Sequence, residues 1–336
     1  MTTNETTVEP SISHRSGMLG KIAAIPTPVI FIGSILIAVL VLWRTGDVHN
    51  VVDSLRSANP WLLALGAVLY LVGLFLLCVR WHSLVIMIHG SSNFGRAGEA
   101  FLTSVVINYA APVGLAVPTR AALTKRALGL SLTETSAVAL WEVGADVIIL
   151  GLGSTIWLAT GGFANSDVSA SDISPLVWIG ILATIAVGLG AVYMVMRSVR
   201  IAPIRRRLRE VMLYPGQNRK QAGISLGVTS IYWIIQGVVL AIMLNALGVQ
   251  PSVLLVLGIT SLPILVGMLS PLPGGAGVRE TLMGGIAKIH GVAVSPTIFA
   301  AVAYRLALFA SIPVLYVLFR VWLSFTKPST DSLEEI

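Results

Sequence analysis

The sequence predicts an all-α polytopic membrane protein, built of six transmembrane helices and two opposed re-entrant helical hairpins. Three observations carry that prediction. The first is composition: 55% of residues are apolar, 11% are charged and mean hydropathy is +0.87, whereas a soluble domain carries about 25% charged residues. The second is that polar links divide the chain into apolar segments of about 15 to 26 residues, the order of length that crosses a hydrocarbon core of about 30 Å. The third is that two apolar stretches, around Asn108 to Arg120 and Pro271 to Glu280, are broken by Pro, Gly and charge at membrane depth. An unpaired backbone group in hydrocarbon costs several kcal/mol, so such segments survive only where protein or a water-filled cavity surrounds them.

The elements follow in order. Residues 1–28 are polar and Ser/Thr-rich, and the next apolar run lacks an Ala-x-Ala-like cleavage site before Trp43. A retained, disordered cytoplasmic tail is therefore expected. Spans are expected at 29–43 and 61–79. Residues 97–120 start apolar, stall at Asn108, Pro112 and Gly114 and end at Arg120, forming the first hairpin. Spans at 133–158, 175–196 and 222–246 come next. In residues 252–289, Pro263, Pro271, Pro273, Gly274, Gly275 and Gly277 prevent one continuous helix, so this stretch is the second hairpin. A last span at 297–319 closes a single transmembrane domain, 29–320, and a cytoplasmic tail, 321–336, follows. No segment is left for a separate soluble catalytic domain.

The basic residues fix an orientation. With both broken segments as hairpins, 17 of the 22 Lys and Arg fall in the links 1–28, 80–132, 197–221 and 320–336. Four, Arg44, Arg56, Arg279 and Lys288, fall on the other side, and Arg305 lies inside the last span. This positive-inside bias puts both termini in the cytoplasm, with the first hairpin entering from the cytoplasmic face and the second from the outer face. The cluster Arg205, Arg206, Arg207 and Arg209 reads as a topology signal with added attraction to anionic lipid. A net charge of +7 spread over such links points to no nucleic-acid partner.

Glu142 and Asp146 stand four residues apart on the third span, on one helical face, and need cations or protons nearby. Arg120, Arg279 and Arg305 are the expected partners, with Glu280 a further acid. One reading is an ion-pair network that holds hairpins to spans. The sharper one is a cavity whose arginines grip a phosphate through their bidentate forks, with the acids positioning them or carrying a proton. Gly274, Gly275 and Gly277 allow close backbone approach and precede a helix whose first N–H groups offer an anion site, with Arg279 and Glu280 in its first turn. A plain turn is the alternative. Arg80-Trp81-His82 reads as an interface anchor with a snorkelling arginine. His82 and His89 lack a carboxylate or Cys partner at ligand spacing, and Cys78 is single, so neither metal nor disulfide is expected. No Walker loop, nucleophile elbow or HExxH motif occurs, and no cofactor is expected.

At these residues the chain resembles the lysylphosphatidylglycerol synthase transmembrane (flippase) domain family. The likeness runs from about residue 60 to 320. Its most specific part is Pro273-Gly274-Gly275-Ala276-Gly277-Val278-Arg279-Glu280 with Tyr304-Arg305, supported by Asn108, Pro112, Gly114, Arg120, Glu142 and Asp146. The first motif departs from the family, which often has a Gly-Arg-x-Gly-Asp-like stretch where this chain reads Val113 to Pro118. The resemblance implies a domain that moves lipid between leaflets, here in a stand-alone form without the aminoacyl-transfer part. The candidate substrate-binding set is Asn108, Arg120, Glu142, Asp146, Gly274, Gly275, Gly277, Arg279, Glu280, Tyr304 and Arg305.

The expected function is translocation of an anionic phospholipid or polyprenyl-phosphate-linked lipid across the plasma membrane, without enzymatic activity. A partner synthase or glycosyltransferase and a homo-oligomer are both compatible with it. Two alternatives stand beside it: a membrane-embedded accessory or transferase subunit in lipid-linked glycan or aminoacyl-lipid synthesis, with Glu142 or Asp146 as base, and a secondary transporter of a small anion.

Overall fold

The structure is a computed structural model and describes residues 58–110, 128–162, 211, 213–269 and 277–326. The spans expected at 29–43 and 175–196 lie outside these residues, as do the far leg of the first hairpin with Arg120 and the turn holding Gly274 and Gly275. Every regular element among the described residues is an α-helix. The main ones are α1 (Pro60–His89), α2 (Phe94–Ala110), α3 (Leu132–Ala159), α4 (Arg219–Ala246), α5 (Val253–Leu269), α6 (Val278–Ile289) and α7 (Val294–Thr326). Within α1, α3, α4 and α7 lie helices long and apolar enough to cross a membrane, matching four of the expected spans.

Local chemistry sets the helix ends. Asn59 caps α1 by accepting the N–H groups of Trp61 and Leu62 at 3.0 and 3.4 Å, and Pro60 fills the first position, where a missing N–H costs nothing. The helix runs past the expected end at residue 79, because Leu84, Val85, Met87 and Ile88 continue its buried face. It stops only at Gly90, whose φ of 86° suits glycine and lets its N–H close on Ile86. A capping box opens α3: the Glu134 N–H donates to Ser131 Oγ at 3.2 Å and the Ser131 N–H to the Glu134 carboxylate at 2.7 Å. The break expected at Asn108 is not the end of α2, which continues to Ala110.

Side-chain contacts order the bundle. α1 and α4 are antiparallel neighbours: the Asn59 N–H donates to the Ala246 carbonyl at 3.0 Å, Gly66 faces Met243 and Gly73 faces Gln236. α5 runs antiparallel to α3, with Gly153 against Ser261 and Gly258 against Trp157. Gly258 also faces Ile286, so α5 and α6 lie antiparallel, and the Trp157 indole N–H reaches His290 at 3.3 Å. Val253, Ile289 and the end of α3 therefore share one end of the bundle. α2 starts at the opposite end, where Phe94 packs on Phe319 and Trp322 of α7, and Arg320 pairs with Glu99.

Two apolar cores result. One gathers Tyr70, Leu150, Trp157, Leu240, Ile259, Met283 and Tyr304; the other gathers Leu74, Trp81, Phe101, Val138, Ile312 and Phe319. On α3 the stretch between Val138 and Leu150 bridges them, and it carries Glu142 and Asp146.

Candidate functional site

α3 and α4 are each 28 residues long, and Asp146 and Trp233 stand near their midpoints. At that level α1 supplies Arg80, only 3% exposed. Its Nη2 lies 2.9 Å from Glu142 Oε1 and its Nη1 2.6 Å from Asp146 Oδ1. The Trp233 indole N–H donates to the same Asp146 oxygen at 2.9 Å. The i, i+4 spacing on α3 turns both carboxylates the same way, and the two arms of one planar guanidinium hold them.

Arg80 is not among the expected partners, and Arg120, which is, lies outside the described residues. Arg80 is not a snorkelling anchor at the interface, since its fork is drawn into the core by two acids. Arg305 does not reach Glu142 or Asp146. Its Nη2 sits 2.6 Å from Glu280 Oε1. His89 also has a carboxylate partner, with Nδ1 2.8 Å from Glu134 Oε1.

The second charged group forms where α6 begins. Gly277 precedes the helix at φ 83°, a conformation that favours glycine, and its N–H donates to the far oxygen of Glu280 at 2.8 Å. Glu280 is thus held between the helix start and Arg305. Arg279 lies over the Tyr304 ring, 4.8 Å from its centroid, and Tyr304 in turn meets Tyr70 edge to face at 4.9 Å. Cation–π contact of this kind is worth about 0.5 to 2 kcal/mol. It fixes the plane of Arg279 without using its donors: Nε and Nη2 are buried and make no hydrogen bond among the described residues.

Tyr70 and Arg80 are separated along α1 by ten residues, about 15 Å of helix. Among the described residues the candidate set therefore forms two charged groups at different levels of α1. Between them lies Gln236, 0% exposed, its carboxamide nitrogen and oxygen both without a partner among the described residues. Gly73 makes room for it, since a Cβ there would come within 2.6 Å of the Gln236 nitrogen.

Of the candidate residues, the structure brings Glu142 and Asp146 together in one group, and Gly277, Arg279, Glu280, Tyr304 and Arg305 in the other. Asn108 lies in α2; Arg120, Gly274 and Gly275 fall outside the described residues. Sequence reasoning missed the roles of Arg80, Trp233, Tyr70 and Gln236. For Arg80 a signal was present: apolar residues continue on both sides of it, from Pro60 through to Ile88, so the charge sits inside the run and not at its edge.

The family model described as the lysylphosphatidylglycerol synthase TM region matches residues 30–315. The match takes in both charged groups and begins earlier than the likeness visible in the motifs. No curated protein and no solved structure matches the chain.

Proposed function

This chain belongs to the lysylphosphatidylglycerol synthase transmembrane-region family and is a multi-pass membrane protein tied to lipid-related processes, and on that footing we propose that it carries an anionic lipid between leaflets. The supporting observation is Arg279. A half-buried arginine whose Nε and Nη2 are buried and make no hydrogen bond among the described residues, lying over Tyr304 beside the first turn of α6, is a ready partner for a phosphate. Arg305 stands next to it as a second cationic arm, restrained by Glu280.

The lipid is a phospholipid or a polyprenyl-phosphate-linked lipid, and its headgroup occupies the Arg279 site while its chains stay in the bilayer. In this reading α5 and α6 form a hairpin that re-enters from the outer face of the plasma membrane, opposite to α2, and both chain termini are cytoplasmic. The antiparallel pairing of α5 with α6 supports the hairpin, and the charge bias of the links supports the orientation. The protein acts as a carrier and not as an enzyme. A partner synthase that delivers the lipid fits the same picture.

The test uses proteoliposomes with a fluorescent anionic lipid, a zwitterionic lipid as control and inorganic phosphate as soluble competitor. Arg279→Lys keeps charge and loses the planar fork, so it should impair translocation nearly as much as Arg279→Ala. Rescue by Lys would reduce the site to a point charge. Wild-type rates in both Arg279→Ala and Arg305→Ala would remove the phosphate site altogether.

A further inference from the structure

The Trp157 indole joins α3 to the pair formed by α5 and α6. It is 0% exposed, it fills space left by Gly162 and by Gly258 of α5, and its N–H donates to Nε2 of His290 at 3.3 Å. His290 caps the C-terminus of α6, where its own N–H closes on the Ile286 and Ala287 carbonyls. An indole nitrogen only donates. Nε2 of His290 therefore carries no proton in this contact, and the imidazole is neutral.

A proton from water can reach that ring. His290 is half-buried in the turn between α6 and α7, and Gly291 and Ala293 beside it are exposed. Among the described residues the neighbouring elements bring little other charge. Lys288, two residues back on α6, is exposed; α3 beyond Asp146 and α5 from Val253 to Leu269 hold no ionisable side chain, and α7 holds none before Tyr304 and Arg305. Burial holds the imidazole below its ordinary value of 6.5, against the pull of the α6 carbonyl end on a cation. Once protonated, Nε2 is a donor facing a donor. The two rings are tilted at 44° with centroids 6.3 Å apart, so the imidazolium does not lie over the indole face, where cation–π attraction would replace the lost bond.

We propose that the contact of Trp157 with His290 is an acid-sensitive latch: neutral His290 fastens α6 to α3 and keeps Arg279 in its binding position, and a proton taken from the outer aqueous face unfastens it and weakens the hold on the lipid headgroup. The inference rests on the lipid-carrier reading above. α6 itself is the lever, since Arg279 stands in its first turn, eleven residues and about 17 Å before His290. The contact of Glu280 with Arg305 stays, so the site loosens and is not dismantled. One proton bonds to Nε2 from water and returns to water when the latch closes. No other covalent bond changes.

The experiment follows fluorescent phosphatidylglycerol in proteoliposomes with the lumen buffered and the pH at the outer face varied from about 5 to about 8, the range in which an imidazole titrates. At low lipid fraction the wild-type rate should fall about two- to tenfold in acid, the worth of one hydrogen bond of this kind. At saturating lipid fraction the loss should vanish, because affinity and not capacity is changed. His290→Gln puts a carboxamide oxygen in reach of the indole and takes up no proton, so it should keep the alkaline wild-type rate throughout. Trp157→Phe fills most of the same space without an N–H and should show the acid rate throughout. Hydrogen–deuterium exchange at residues 286–292 reads the latch directly: the ratio of wild type to His290→Gln at each pH should be near one in alkali and rise in acid. A wild-type rate that ignores the outer pH overturns the proposal, as does an acid response that survives in both variants. Absence of anionic lipid movement at any pH removes the carrier reading, and the exchange ratio then decides the latch: a ratio that stays at one in acid overturns it as well.

Discussion

Replacing Arg80 by Met keeps much of the side chain's length and its apolar stem, and removes the fork that holds Glu142 and Asp146. Two carboxylates then share one face of α3, four residues apart, between two apolar cores. Removing one partner of a buried ion pair costs about 3 to 5 kcal/mol, most of it the penalty of an uncompensated charge. Here one substitution removes contacts of 2.9 and 2.6 Å to two acids together, so the upper part of that range is expected under alkaline conditions. Acid should shrink the deficit, because protons replace the missing cation. The triple variant Arg80→Met, Glu142→Gln, Asp146→Asn should recover most of the loss, since a buried pair and a neutral replacement of similar volume differ little in net stability. The assay is thermal unfolding of detergent-purified protein, followed by fluorescence-detected size exclusion from about pH 5 to about pH 9. Two results would refute the reasoning: a single variant that melts with wild type at the alkaline end, or a triple variant no more stable than the single one.

Three other outcomes are expected. Gly258→Ala places a Cβ within 2.6 Å of the Trp157 indole nitrogen and should destabilise by about 1 to 3 kcal/mol, with recovery in a Trp157→Phe background; equal melting of Gly258→Ala and wild type would show that the contact yields freely. Burial holds the His290 imidazole below its ordinary value of 6.5, and its Nε2 accepts from Trp157. The unfolded chain therefore binds the proton more readily, so the stabilisation is present above about pH 6.5 and is lost as pH falls towards the lowered folded value. The melting temperatures of wild type and His290→Ala should converge in acid, and a gap that widens in acid would reverse the sign. Finally, in a Cys78→Ala background, single cysteines replacing Ser252 and Ala293 should react with an impermeant reagent from one side of the membrane and a cysteine replacing Ser91 from the other. Labelling of positions 252 and 293 from opposite sides would make α5 and α6 a membrane crossing.

Apolar length was the legible part of this fold. A helix in lipid must satisfy its own backbone, so the runs at 61–79, 133–158, 222–246 and 297–319 could be little else, and each lies within a helix. Their ends were less legible, since a helix continues beyond the lipid for as long as packing rewards it, as α1 does to His89 and α7 to Thr326. The Pro-Gly-Gly-x-Gly-x-Arg-Glu motif located Arg279 and Glu280 because glycine and charge in an apolar run have few explanations. Pairing was not legible. Arg80 meets its acids across 62 and 66 residues of sequence, and Arg305 sits beside Glu280 because α6 and α7 fold back on one another. Spacing along one helix aligns two acids. It cannot say which arginine of another helix arrives there. Gln236 carries no formal charge and stands in an ordinary apolar run, so only its burial opposite Gly73 marks it.

The bundle contains two kinds of mechanical joint. Between α1 and α3 the guanidinium fork grips two carboxylates, and a bidentate ionic clasp is directional: rotating either helix breaks it. Along α5 and α6 the neighbours meet where Gly153, Gly258 and Gly284 press on Ser261, Trp157, Ile286 and Val294. Those contacts leave no room for one methyl group, since a Cβ at Gly258 would come within 2.6 Å of the Trp157 indole and one at Gly284 within 2.9 Å of Val294. Shape sets the register there, as charge sets it between α1 and α3. The Arg279 and Tyr304 pair is therefore held in place from two directions, by an ionic clasp on one side of the bundle and by glycine-deep packing on the other.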